Sequence, residues 1–227
     1  MTTSAQSVLL RVVGTLQDAS AVRWATNELV RYLNDGQRDI TVYRPDATAT
    51  TATLTCVSGT RQTLPAAASK LIDIVRNVAT TSDKQVVRKV NRQMLDSISP
   101  SWHVATASVN ISNYMYDPID PRVFYVYPPA TTLAQLSTVY SAYPTDIAEP
   151  ADNTLYTAVS GNISVADVFA NALADYILFR AFSKDAESSA NASRAQAHYA
   201  LYTTALSTEL RGTTSIAPST SGAPNHG

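Results

Sequence analysis

Apolar residues recur at helical spacing near both ends of the chain and at every second position through much of its middle. Val8, Leu9, Val12, Val13 and Leu16 predict a short amphipathic helix over about residues 5–17. Arg23 and Trp24 follow in a linker. Thr26 is placed to cap a second helix, with Glu28 in its first turn and Leu29, Leu33 and Ile40 along one face. That helix must end before Pro45, because a proline pushes the preceding residue out of the α region. Past Pro150, Val165, Phe169, Leu173 and Ile177 form one stripe of a helix that Ser164 is placed to cap. An Ala-rich helix from Asp185 to about Leu210 carries Tyr199, Tyr202 and Leu206. The last two helices predict an αα-hairpin packed on the N-terminal helices.

Between these ends the period shortens to two. Thr51 to Val57 alternates, Gly59 marks a turn, and Arg61 to Leu64 is expected to return as its partner strand. Leu71 to Val75, Val109 to Tyr114, Arg122 to Tyr127 and Leu133 to Tyr140 read as further strands of an antiparallel set. Val90, Met94 and Ile98 predict one helix ending near Pro100. The segment Tyr116 to Pro129 is the most distinctive: two Asp-Pro steps form a turn that feeds Phe124, Tyr125, Val126 and Tyr127. Pro128 and Pro129 are expected to end that ladder, since neither offers an N–H.

The predicted class is α+β: an α-helical bundle body of N- and C-terminal helices, an inserted antiparallel β-rich domain and a disordered C-terminal tail. The expected divisions are 1–45, 46–150 (with the one helix near 86–99), 151–211 and 212–227. The last stretch, Gly, Ser, Thr, Pro and Ala with a single Ile, cannot bury enough apolar surface to offset the entropy of ordering.

Charge and chemistry narrow the function. A net charge of −1 gives no electrostatic footprint for tight nucleic-acid binding, and Lys84 to Arg92, the densest basic run, reads as a solvated helix face. Only 15% of residues are charged, which suits a surface partly covered by neighbours. The N-terminus has no basic region ahead of an apolar core, and no stretch approaches the roughly 20 apolar residues of a membrane helix. The expectation is therefore synthesis in a cytoplasm and no membrane partner. Cys56 is the single cysteine and reads as a small buried hydrophobe.

No catalytic, cofactor-binding or metal-ligating residue is assigned. His103, His198 and His226 are not spaced with Cys, Asp or Glu as metal ligands are. Neither a phosphate-cradling Gly-rich loop nor a nucleophile elbow is present. Asp117 with Asp120 or Glu149 is the available acid/base pairing, and turn formation before proline accounts for both aspartates. Twelve tyrosines against four phenylalanines, with Tyr114, Tyr116, Tyr125, Tyr127, Tyr140 and Tyr143 in the β-region, favour interface or core packing over stacking on a ligand.

The order of these segments resembles the head-to-tail adaptor proteins of tailed bacteriophages. The likeness is carried by Arg23-Trp24, Glu28-Leu29, Tyr32 to Ile40, Tyr43 to Asp46, Leu71 to Asn77, Val87 to Asp96, Pro100 to His103, Tyr116 to Pro129 and Val139 to Pro144. With the last two helices it extends to about Leu210. The resemblance implies a structural virion protein of the neck, made in the host bacterial cytoplasm. It implies a ring, typically twelvefold, held to the portal protein on one face and to a tail tube or nozzle protein on the other. It further implies that genomic DNA passes through the lumen without sequence-specific binding. Trp24, Tyr116, Asp117, Asp120, Arg122, Tyr125, Tyr127 and Tyr143 are the candidate interface residues. Gly212, Ile216, Pro218 and Pro224 mark a candidate arm that orders on the portal or a neighbouring subunit. The alternatives are another neck or tail-completion protein, a muralytic enzyme of the neck, and a glycan-binding module built on the tyrosine-rich strands.

Overall fold

The computed structural model describes residues 2–184 and 188–216, with side chains through Ser207. The fold is mixed α+β, and the chain divides into two compact units, Met1–Arg44 with Thr145–Gly227, and Pro45–Pro144.

The first unit is helical. α1 (Ala5–Leu16) starts where the Ser4 hydroxyl accepts the Ser7 N–H at 3.1 Å, and stops at Gln17, which turns left-handed with φ 55°. Its stripe of Val8, Leu9, Val12, Val13 and Leu16 is buried. α2 (Thr26–Tyr43) has Ala25 rather than Thr26 at its cap position, with no side-chain cap bond. α4 (Ala170–Lys184) packs against α1, α2 and α5 (Ser189–Ile216). Ser164 does not cap it. A 3₁₀ turn, Asp167–Phe169, leads in, while Ser164 gives its N–H to Gln37 Oε1 and takes the Thr145 N–H on its hydroxyl. Gly36 is where α2 and α4 meet most closely: a Cβ there would lie 2.6 Å from Leu173 Cδ1 and 2.8 Å from Tyr176 Cδ1. α5 continues past the expected end, so Gly212 and Ile216 are helical. Thr and Ser have only slightly lower helix propensity than their neighbours, and an established helix propagates through them.

The second unit holds the strands β1 (Ala49–Thr55), β2 (Gly59–Thr63), β3 (Ala68–Asn77), β4 (Arg88–Lys89), β5 (Asn113–Tyr116), β6 (Val123–Ala130) and β7 (Gln135–Ala142). One sheet has the order β1-β7-β3 and the other β2-β6-β5-β4. The expected β1–β2 hairpin does not form. The Gln62 side chain accepts the Val57 N–H and donates to the Val57 and Gly59 carbonyls, closing the turn and sending β2 to pair with β6. The set is not wholly antiparallel either, because β4 runs parallel to β5.

β6 carries on through Pro128 and Pro129, correcting the expectation that these residues end the ladder. The prolines lack donors, but carbonyls are what this edge needs: Tyr127 O accepts the Ser112 N–H at 2.9 Å and Pro129 O the Ser108 N–H at 2.8 Å. The Tyr127–Pro128 peptide is cis, and the β2 register shifts beside it between Gly59 and Arg61. Both sheets contribute to one core, with Cys56, Leu71, Ile74, Tyr114, Phe124, Val126, Leu136 and Tyr140 among its members. Burial pushes the Cys56 thiol up to about 11, as suits an inert core residue. α3 (Arg92–Ile98), capped by Asn91, buries none of its residues, so Met94 and Ile98 are exposed rather than forming a core stripe.

Candidate functional site

The β5–β6 hairpin places four of the sequence-predicted interface residues around one cleft of about 670 Å³. Tyr116, Asp117, Asp120 and Tyr125 line it, facing the segment Lys89 to Gln93, with Met115 and Val123 between. The turn forms as its residues dictate. Asp117 accepts the Ile119 N–H on its carboxylate at 3.0 Å and the Asp120 N–H on its carbonyl at 3.2 Å, and Asp120 O accepts the Val123 N–H at 3.2 Å. Ile119 is left at the tip, 90% exposed. The Tyr116 hydroxyl donates to Pro121 O at 3.2 Å, and Lys89 Nζ lies 5.8 Å from the Tyr116 ring centroid. Burial is the main cause of the raised Tyr116 pKa, so its hydroxyl is a donor at neutral pH.

Behind this cleft, Trp102 is buried, its indole donating to Asp96 at 2.8 Å and its ring edge-on to Tyr125 with centroids 6.2 Å apart. His103 stacks on Trp102 and shares a hydrogen bond between its Nδ1 and the Thr60 hydroxyl at 2.8 Å. Trp102 and His103 therefore brace the Tyr125 wall. Sequence reasoning assigned His103 no metal-ligating role. It missed Lys89 and Arg92 as cleft residues, because the basic run was read as one helix face. Arg88 and Lys89 are strand and only Arg92 begins the helix.

The remaining candidates fall elsewhere. Arg122 turns its guanidinium to the carbonyls of Leu64 and Pro65, holding the β2–β3 connection to the hairpin. Tyr127 is half-buried in β6, and Tyr143 is exposed just past β7. Trp24 is buried in the helical unit, with its indole donating to Ala181 O at 3.3 Å and its ring edge-on to Phe182. That engagement removes it from the surface on which an interface residue must lie. Pro218 and Pro224 lie outside the described residues, as does His226.

Asp117 and Asp120 are exposed, and their hydrogen bonds serve the turn. Glu149 belongs to the helical unit, where its carboxylate accepts from Arg31 Nε at 2.8 Å. His198 pairs with Asp175 at 2.9 Å on the same unit. Among the described residues no group of three or more His, Cys, Asp or Glu is arranged to hold a metal ion. Among them, too, no helix is long and apolar enough to cross a membrane.

Comparison with curated proteins gives no match. The family model described as SU10 adaptor protein matches residues 3–224, nearly the whole chain. The chain therefore belongs to the SU10 adaptor protein family, a family of phage head-to-tail adaptors.

Proposed function

We propose that this chain is a structural protein of the virion neck that assembles as a ring, twelvefold, between the portal protein and a tail tube or nozzle protein. The observation that carries this reading is the family match over residues 3–224. In it the helical unit is the ring body, the strand-bearing unit is an inserted domain turned toward the tail or the outside of the ring, and no catalytic step is assigned. The hairpin cleft, with tyrosines, a basic wall and an acidic turn, has the mixed amphipathic lining that protein interfaces favour. A net charge of −1 suits a lumen through which DNA must slide, because a strongly basic lining would hold phosphates and oppose ejection. The C-terminal segment from Gly212, including Ile216, Pro218 and Pro224, is the proposed contact with the portal or a neighbouring subunit.

Mass photometry of the purified protein, alone and with the portal ring of its phage, tests the reading. About a dozen copies bound per portal are expected. A chain that stays monomeric and ignores the portal overturns it. Truncation at Gly212 is expected to weaken portal binding, and unchanged binding rules the arm out.

A further inference from the structure

The two most exposed large apolar side chains among the described residues lie in surroundings of opposite charge. Ile119 is 90% exposed at the tip of the β5–β6 hairpin, and Val22 is 86% exposed in the loop between α1 and α2. A single exposed aliphatic residue means little by itself. What flanks these two gives them a meaning together.

Ile119 stands between Asp117 and Asp120, both exposed, on a turn stiffened by Pro118 and Pro121. The Asp117 carboxylate holds the Ile119 N–H, whereas the turn uses only the backbone of Asp120. The tip is therefore an apolar knob with a carboxylate on each side.

Val22 lines a cleft of about 710 Å³ in the helical unit, between the α1–α2 loop and helices α4 and α5. Arg23 and Arg194 line it as well, each carried on an aromatic ring. The Arg23 guanidinium carbon lies 4.9 Å from the Trp24 ring centroid, and that of Arg194 5.6 Å from the Phe182 centroid. Trp24 and Phe182 are buried and edge-on to each other, so they steady the arginines without reaching a partner themselves. Asp18 is the one carboxylate among the lining residues. It is taken up by the N–H groups of Val22, Arg23 and Trp24 at 3.0, 2.9 and 2.9 Å. Arg194 has no carboxylate partner among the described residues.

We infer that the hairpin tip of one copy docks in this cleft of a second copy, with Ile119 against Val22 and Asp120 against Arg194; this rests on the adaptor reading above. The chain itself points to the occupant. Knob and cleft match each other in apolar centre and in charge, so one contact accounts for both patches. An acidic or basic segment of the portal or tail protein would match only one of them. The patches are also different surfaces of the same chain, which is what a head-to-tail ring contact requires. Paired charges around a small apolar centre fix which surfaces meet more than they add affinity, so ring closure and the portal supply the remainder.

Cysteines at the two positions test the contact, since Cys56 is buried. Val22→Cys with Ile119→Cys, bound to the portal ring and treated with a short bismaleimide, is expected to give a ladder of linked chains on a denaturing gel. Either cysteine alone is expected to give none, because the contact joins unlike positions. Arg194→Glu and Asp120→Lys, both at exposed positions, are each expected to weaken ring assembly on the portal about tenfold. Together they are expected to recover most of that loss, which a misfolded chain would not do. Portal-bound chains that give no ladder overturn this inference alone, as does a charge swap without recovery. So do links that stop at pairs, the mark of a closed two-fold contact, or that join both cysteines within one chain. A chain that does not bind the portal overturns the adaptor reading and this inference together.

Discussion

Helices α2 and α4 approach so closely at Gly36 that a single added carbon would overlap Leu173 and Tyr176, whereas β1 offers an open edge of exposed threonines. The helical unit is closed by particular side chains. Asn34 exchanges two hydrogen bonds with the Ile147 backbone at 2.9 and 2.8 Å, Gln37 takes the Ser164 N–H, and Tyr202 donates to Asp39 at 2.6 Å. The strand-bearing unit is closed by backbone ladders around an apolar core, with side chains adding turns and braces. The difference teaches where each unit is vulnerable. The helical unit depends on a few buried polar and steric matches, while the strand unit depends on its apolar core and exposes its hairpin tip and β1 edge.

The comparison breaks most visibly in the strand core. Phe124→Ala, at a fully buried position, is expected to cost about 3–5 kcal/mol in urea unfolding. In the helical unit, Gly36→Ala is expected to cost about 1–3 kcal/mol through overpacking, read as a lower urea midpoint with an unchanged m-value. Asn34→Ala strands the Ile147 N–H and carbonyl and is expected to cost a similar amount, about 1–3 kcal/mol.

A smaller effect concerns pH. Burial pushes the Glu28 carboxyl up, but hydrogen bonds from Lys184 and Tyr32 outweigh it and hold the group below its ordinary 4.5. A depressed folded pKa stabilises the fold above the unfolded value, and that contribution is lost as pH falls through the folded one. Glu28→Gln is therefore expected to lower stability at neutral pH and to flatten the acid limb below about pH 4.5, seen in chemical unfolding across that range. The smallest effect is expected at the hairpin. Asp117→Asn keeps the oxygen that accepts the Ile119 N–H, so stability should change by no more than about 0.5 kcal/mol. A larger loss would mean that the turn needs the charge itself.

Periodicity in the sequence determined the existence of α1, α2, α4 and most strands, because a buried stripe must repeat every 3.6 or 2 residues whatever it packs against. Asp-Pro composition likewise determined the Asp117–Asp120 turn, which needs only local hydrogen bonds. Family membership was legible as an order of segments. Partner choice was not: β2 pairs with the distant β6 rather than with the adjacent β1, a long-range outcome that no local pattern encodes. The continuation of β6 through two prolines was hidden for the same reason, since it depends on donors from Ser108 and Ser112. Trp24 looked like a surface anchor in sequence, and tertiary packing against Phe182 buried it. The sequence by itself thus decided most of the helices, strands and turns. Only the tertiary structure decided which strands pair, which aromatics stay outside and which edge remains open, because those depend on contacts between residues far apart in the chain.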